Sequence, residues 1–533
     1  MRAEVSTLNR RHFLATSAAA AAASLAGCDA AHDIAGGFTG IDHARGHLLR
    51  DTKTWPAPSV QRKTRVLIAG GGVAGLAAAR ALRLRGMEEF AVLELEDQAG
   101  GNARAGSIQG IAHPLGAHYL PLPGDDAPEV QDLLEEFGLR QRVAGRWQYD
   151  ERHLCHSPQE RLFFNGAWQD GLLPLQGVDA PTLAQYRQFA ALVEQARRSA
   201  RWSIPAWRSA QTPFKQALAA ITFETYLDQH ALTDVHLRWY LDYCCRDDYG
   251  AGIASVSAWA GIHYFASRHG FSAPGAQTGE REGLLTWPEG NAWLTRRLAA
   301  PLNERLHSGQ IVLRIEQGKH GVEVDAFNTA TQQMERWQAE QAIVALPVLV
   351  AARIVPNAPD FLKQTAARTQ HAPWLVANLH IDKPLYDRPG AAPSWDNVLY
   401  GDAATAPGLG YVDAMHQSLR PVPGATVLSY YRALGNLVGG PTQGRAQLLQ
   451  RPWTQWRDEI LQELSIAHPD LARKTTRMDI TRYGHAMAIP VPDAQGRVGQ
   501  LPPAFGRIRF AHSDWAGYSV FEEAFALGHL AGA

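Results

Sequence analysis

Cysteine is scarce in this chain, with four in 533 residues. Cys155 and the adjacent Cys244 and Cys245 stand at no metal-binding spacing. Adjacent cysteines rarely bridge each other, because the disulfide would be strained. A bridge from Cys155 to Cys244 or Cys245 stays open beside a set of buried free thiols. An excess of one charge is also missing. Lys and Arg number 51 against 52 Asp and Glu, a net charge of −1. That removes the electrostatic case for a nucleic-acid partner. No internal repeat or charged tail is present, and the one low-complexity run is Ala18 to Ala23. What remains is ordinary globular composition, 46% hydrophobic and 19% charged. The length exceeds what one core holds, so two domains are expected.

Against that plain background, Arg65 to Asn102 is specific. Arg65 to Ala69 is a β-branched run that reads as a buried parallel strand. It enters Gly70-Gly71-Gly72-Val73-Ala74-Gly75 and then an Ala/Leu-rich helix, Leu76 to Arg85, stopped by Gly86. A second strand, Phe90 to Leu93, ends at Glu94. Gly70 permits the tight turn, Gly72 lets phosphates approach the backbone, and Gly75 lets helix pack on strand. The helix N-terminus offers free N–H groups and a positive dipole end to an anion. Glu94 is placed to accept hydrogen bonds from ribose hydroxyls. Together these predict a Rossmann-like site for a dinucleotide.

Glu94 is followed six and seven residues later by Gly100 and Gly101. This pattern resembles flavin amine oxidases, phytoene desaturases and protoporphyrinogen oxidases. The superfamily continues with Gly-Gly-Arg; here Asn102 replaces the arginine, and Arg104 is the stand-in. Gly116-Ala117-His118-Tyr119 is similar to the family segment beside the flavin ring. Ile508 to Asp514 is similar to its closing strand, and Ser519 to Leu530 to its last helix. Leu285 to Asn291, the Ile311 to Ile315 strand and Ala342 to Pro347 resemble its middle pieces. Three positions depart from it further: Asn291 for a Gly, His512 for a Gly and Glu523 for a Gly.

The resemblance implies an α/β (α+β overall) fold. A Rossmann-like FAD-binding domain with a central parallel sheet takes 64–125, 281–355 and 501–533. An interleaved substrate domain with mixed sheet and helices takes 126–280 and 356–500. The implied FAD contacts are Gly70, Gly72, Ala74, Gly75, Glu94, Gly100, Gly101, Asn102, Gly116, Ala117, His118, Tyr119, Ile315, Ser513 and Asp514. Asp514 is expected to hold the ribityl chain or a nearby N–H. No metal site is expected.

The first 27 residues read as a targeting segment. Asn9-Arg10-Arg11-His12-Phe13-Leu14 resembles a twin-arginine export signal. Phe13 to Gly27 is an apolar stretch too short to span a bilayer unaided. Leu25-Ala26-Gly27-Cys28 resembles a lipobox, with Cys28 as the lipidated residue; simple cleavage at the alanines is the alternative. The expected location is periplasmic, anchored to the inner membrane, with the twin-arginine export machinery and a lipid-anchored membrane as partners. Residues 28–63 read as a tether, with Gly36-Gly37, Pro56 and Pro58 and no strand or helix periodicity.

The substrate half is less legible. Trp147, Trp168, Trp202, Trp207, Trp239, Trp259, Trp374 and Trp395 suit either pocket walls or core packing. His485 and Tyr518 are the candidate catalytic residues, His485 for tuning or proton transfer. Arg246 to Gly250 reads as a solvated loop rather than a metal site. Many amine oxidases carry a lysine on the strand before a Lys-x-Pro turn; the matching position here is Val376. Only one dinucleotide motif is present, so NAD(P)H is not expected, and oxygen or a quinone would re-oxidise the flavin. The expected function is FAD-dependent oxidation of a C–N or C–C bond in a small organic substrate. The alternative is an exported flavin-binding module without turnover, serving interaction or scaffolding.

Overall fold

A computed structural model describes residues 33–50, 55–155, 158–275, 283–493 and 499–533. Arg10, Arg11 and Cys28 lie outside the described residues. Two sheet systems divide the rest. The first is a five-stranded parallel sheet in the order Leu306–His307, Phe90–Leu93, Val66–Ala69, Gln341–Val344, Ile508–Phe510. Both faces of such a sheet are covered, so its strands read as continuous apolar runs. Val66–Ala69 and Phe90–Leu93 are buried at every residue. One face packs on the helices Val73–Leu84 and Phe521–Gly532 through Ile68, Val92, Leu76 and Phe525. The other packs through Leu67, Leu93 and Val344 on Ile315, Val324 and Trp337 of a four-stranded sheet.

The two helices cross closely because glycine faces backbone. A Cβ on Gly528 would lie 2.0 Å from Ala74 O, and one on Gly532 2.4 Å from Ala78 O. The chain's last helix is therefore locked against its first dinucleotide-binding helix.

The second system is eight-stranded, running from Ala35–Phe38 through Thr475–Ile489, Gln370–Ile381, Thr426–Ala433, Tyr411–Asp413, Asp396–Leu399 and Glu160–Phe164 to Ala167–Asp170. On one face Leu375, Ala377 and Leu379 meet the Trp453–Leu464 helix at Trp456 and Ile460. On the other, Trp374, Val376 and Tyr431 meet a layer of helices that includes Ala180–Ser199, Val235–Tyr249 and Ala258–Ala266.

Three expectations are corrected. The described part of 28–63 is no tether. Ala35–Phe38 pairs in parallel with Thr475–Ile489, and Val60–Lys63 with Gln333–Ala339. Both strands are four residues long with few buried side chains. Their stability comes from backbone pairing at sheet edges, which leaves no hydrophobic alternation to read. The helix Pro128–Glu136 buries Val130, Leu133 and Leu134 in the dinucleotide-domain core, and Arg80 pairs with Glu136 at 2.7 Å. It belongs with residues 64–125, not with the substrate part. Arg246 to Tyr249 is the last turn of a helix rather than a loop, ended by left-handed Gly250.

Cys155 is half-buried, Cys244 and Cys245 are buried, and all three are free thiols. Burial pushes the Cys155 thiol up to about 12. Among the described residues no helix is long and apolar enough to cross a membrane, and no His, Cys, Asp or Glu cluster is arranged to hold a metal.

Candidate functional site

The C-terminal ends of the parallel strands open on a cavity of about 400 Å³. At one end its wall is nearly all backbone: Gly70, Gly72, Val73, Ala74, Gly100 and Gly101. The Val73–Leu84 helix starts at Gly72 with no side-chain cap and no acid in its first turn. Its first N–H groups are left for something else, and an anion suits them. A Cβ on Gly72 would meet only Gly101 Cα, at 3.8 Å, so two glycines face each other across this end. Gly75 does not line the cavity. A Cβ there would lie 1.8 Å from Gly70 O, which is how the helix comes so close to the strand.

Glu94 lies buried at the end of its strand and on the cavity wall. Its Oε2 accepts from Gly71 N at 2.7 Å and its Oε1 from Glu96 N at 2.9 Å. Burial raises its pKa, and the two backbone donors oppose that. A diphosphate on the helix start and a ribose on Glu94 fit these groups.

Mid-cavity, the Gly116 segment is held by the eight-stranded sheet on one side and by the Gly101–Ala103 turn on the other. Tyr431 Oη donates to Gly116 O at 3.0 Å and Tyr483 Oη to Leu115 O at 2.9 Å. Ala117 N donates to Asn102 O at 2.9 Å. Gly116, Ala117, His118 and Tyr119 all line the cavity. His118 stacks on Tyr431 at 4.3 Å, and burial pushes its pKa down to about 4, so the ring is neutral at pH 7. The asparagine departures are tie points. Asn102 Nδ2 donates to Ala486 O at 2.6 Å and Asn291 Nδ2 to Tyr119 O at 2.8 Å. Arg104 does not replace a cavity arginine, because it turns to Gly101 O at 3.1 Å and Glu96 at 3.6 Å.

The far end differs in kind. Trp374, Val376, Tyr431 and Met487 form an apolar and aromatic wall, and Asp247 and Asp248 enter from the Val235–Tyr249 helix. Of the eight singled-out tryptophans, Trp374 lines the cavity, and Trp395 stands behind it at 5.5 Å from the His118 ring. Asp248 is spoken for by Arg268 at 3.2 Å, and Arg246 by Asp242 at 2.8 Å. Asp247 is pushed up to about 7 by burial, with Asp248 adding to it.

Two more carboxylates act on the same region. Glu160 and Asp396 are register partners on neighbouring parallel strands. Their sequence neighbours Arg161 and Asn397 bond each other at 2.6 Å and line a second cavity, of about 320 Å³. Alternation along a strand therefore turns Glu160 and Asp396 the other way. Burial drives Asp396 well above the usual carboxylate range, and Asp247 and Glu160 add to it.

His485 and Ser513 reach the cavity wall, and Asp514 lies directly beneath it. His485 is an exposed residue at the cavity rim. Burial, with Arg445 and His371 adding, lowers its pKa to about 4, which removes it as a general acid at pH 7. Tyr518 is corrected to a core residue. It is 1% exposed, donates to Glu523 Oε1 at 2.7 Å and packs on His263 and Trp259, away from the wall. Ile315 is a core residue of the four-stranded sheet and does not line the cavity. Glu523 also points away, accepting from Ala206 N as well. Sequence reading missed Asp247, Asp396, Glu160, Tyr431 and His371. The spaced acids of the 242–248 stretch were the one signal available.

Comparison with known proteins agrees with this geometry. Protoporphyrinogen oxidase 2, chloroplastic/mitochondrial, from Arabidopsis thaliana is 37% identical over 78 residues, 15% of this chain and 15% of that protein. Among solved structures, a putrescine oxidase bound to putrescine superposes with a TM-score of 0.66 at 16% identity, covering 89% of this chain and 98% of that one. Cyclohexylamine oxidase from Brevibacterium oxydans IH-35A gives 0.61 at 20%, covering 88% and 98%. A fatty acid isomerase from P. acnes gives 0.57 at 13%, covering 87% and 97%, so the fold hosts more than one chemistry. The family model for flavin containing amine oxidoreductases matches residues 73–531, and this chain belongs to that family, with FAD as the cofactor its cavity accommodates.

Proposed function

We propose that this protein is an FAD-dependent oxidoreductase that binds an amine as its cation. The reacting nitrogen gives up one proton to solvent, and the carbon beside it then gives up a hydride, leaving an iminium. The observation that carries this is the charge at the substrate end. Asp247 is on the cavity wall and Glu160 raises its pKa, Asp247 and Glu160 both raise that of Asp396, and the arginines nearest Asp247 are paired to other acids. A bound ammonium lets Asp247 ionise and relieves that repulsion. FAD, when bound, accepts the hydride. The chain orients the substrate with these carboxylates and excludes water with Tyr431, Trp374 and Val376. Gly116 lets its segment pack against the Asn102 carbonyl, where a Cβ would lie 2.3 Å from the oxygen. His485 remains a neutral imidazole that can accept a hydrogen bond.

The reading without turnover loses its support. Glu523 points away from the cavity, and Asn102 and Asn291 brace its wall rather than fill it.

Native purification should give a yellow protein. Anaerobic addition of alkylamines and diamines should bleach its flavin bands, whereas fatty acids should not. A colourless, folded protein that takes up no FAD sinks the reading. Bleaching by fatty acids alone replaces it with lipid chemistry. Oxygen or a membrane quinone would complete the cycle.

Export by the twin-arginine route with a lipid on Cys28 is part of this proposal. Replacing Arg10 and Arg11 with Lys should trap the protein in the cytoplasm, and Cys28→Ala should release it from membranes. Sedimentation of the Cys28→Ala protein with membranes would remove the anchor.

A further inference from the structure

The phosphate end of the cavity has backbone donors but no guanidinium or ammonium among its lining residues, since Arg104 is committed to Glu96. A diphosphate brings two negative charges. Glu94 is the ionisable side chain nearest in strand order, and the nearest basic one on the wall is His512. It follows the Ile508–Phe510 strand, which is separated from Val66–Ala69 by Gln341–Val344 alone. Two strand spacings are about 10 Å. That separation puts His512 beside the stretch running from the diphosphate towards the ribityl chain, a placement that rests on the FAD reading.

What lies behind His512 is unusual. Asp514 and His371 are almost fully buried, with His371 Nε2 2.9 Å from Asp514 Oδ2. Oδ2 also accepts from Val348 N at 3.0 Å. Asp514 Oδ1 is buried with no hydrogen-bond donor. His512 Nδ1 is 3.3 Å from that Oδ1, yet it accepts from Asp514 N at 3.1 Å. One nitrogen cannot do both. With Nδ1 accepting, the ring is neutral, its proton is on Nε2, and Oδ1 goes unsatisfied. With Nδ1 protonated, the ring is a cation that donates to Oδ1. That protonation also takes the acceptor away from Asp514 N, so each form leaves one group unsatisfied, and the negative charges of Asp514 and of a bound diphosphate decide in favour of the cation.

Other charges around this array come from several elements. His485 and Arg445 approach His371, its ring lying 5.8 Å from His485 and its carbonyl accepting from Arg445 at 3.1 Å, while His47 acts on His485. None of these is an acid; Glu522, a buried carboxylate on the same cavity wall, is the further acid of this side. Burial alone would raise the pKa of Asp514, but His512 and His371 hold it below the usual carboxylate range.

We propose that His512 binds the phosphate-to-ribityl stretch of FAD as an imidazolium, with Nδ1–H on Asp514 Oδ1 and Nε2–H on the cofactor. His371 braces the other carboxylate oxygen. One proton is taken up from solvent when the cofactor binds, and no bond to carbon, phosphorus or oxygen changes. His512 and His371 are positioning residues, not catalytic ones.

The test is calorimetric titration of FAD into the full chain stripped of its flavin, at pH 7.5, in two buffers of different ionisation enthalpy. The wild type should take up close to one proton per FAD. His512→Gln should take up none and bind about tenfold more weakly. His512→Arg carries a fixed charge and should bind within about threefold of wild type, again with no uptake. That variant also separates the proposal from misfolding of the glutamine form. His371→Gln should reduce the uptake. Undiminished uptake in His512→Gln and His512→Arg, or no uptake in a wild type that binds FAD, overturns the proposal. A wild type that binds no FAD overturns the cofactor reading itself.

Discussion

The two ends of the cavity are built in opposite ways. The phosphate end comes from one contiguous stretch, Gly70 to Gly101, joined by the tail of the Ile508–Phe510 strand. Its chemistry is backbone N–H and absent side chains. The substrate end draws single residues from the Val235–Tyr249 helix and from strands at Trp374, Val376, Tyr431 and Met487. Its chemistry is carboxylate and aromatic ring. A cofactor that is the same in every relative can be gripped by main chain. A substrate that differs between relatives must be recognised by side chains, which change without disturbing the fold.

Substitutions should therefore act by steric exclusion at the first end and by charge at the second. The largest effect is expected at Gly75. A Cβ has no room 1.8 Å from Gly70 O, so Gly75→Val should abolish FAD retention and cost more than about 3 kcal/mol of stability. Flavin content and thermal unfolding measure both, and a stable yellow variant would contradict the close strand–helix contact.

Asp247→Asn should leave FAD content unchanged. It should weaken binding of tetraethylammonium, a cation with no N–H and a probe of charge alone, by about 10- to 100-fold, about 1.4–3 kcal/mol. Equal weakening of FAD and cation would erase the division between the two ends.

The next effect is one of pH. Asp247 in the free site is pushed up to about 7. A bound cation favours its ionised form, so binding releases a proton. Affinity should be flat above pH 7 and fall about tenfold per unit below it, until the bound-state pKa is reached. Asp247→Asn should flatten that slope, and a wild-type affinity that rises on acidification would reverse the sign of the argument.

The smallest effect is expected at Tyr518. Tyr518→Phe removes one buried hydrogen bond, to Glu523. It should cost about 1 kcal/mol and leave substrate-driven flavin reduction intact. A large loss of reduction would return Tyr518 to the site.

The same contrast explains what could be read in the chain. Gly70 to Gly101 was legible because strand, turn, helix and acid follow one another, each with a local cause. His118 and Ser513 were placed through resemblance to the family. The pairing of Glu160 with Asp396 was invisible, because register between distant strands is set by packing rather than by either segment. Asp247 reads as loop because two adjacent acids break any apolar period, yet it sits in the last turn of a helix whose Asp234 accepts from two backbone N–H groups at the start. The edge strands Ala35–Phe38 and Val60–Lys63 were hidden for a different reason. Their stability lies in hydrogen bonds that any sequence can make.

The central claim is that the cavity joins an FAD site to a cation-selecting substrate end. The most direct measurement is anaerobic stopped-flow reduction of the flavin by a primary alkylamine and by the alcohol of equal length, in wild type and Asp247→Asn. The account predicts that the amine bleaches the wild-type flavin, that the alcohol does not, and that the variant loses amine affinity while keeping its FAD. Equal reduction by amine and alcohol, or amine reduction untouched by Asp247→Asn, would contradict it.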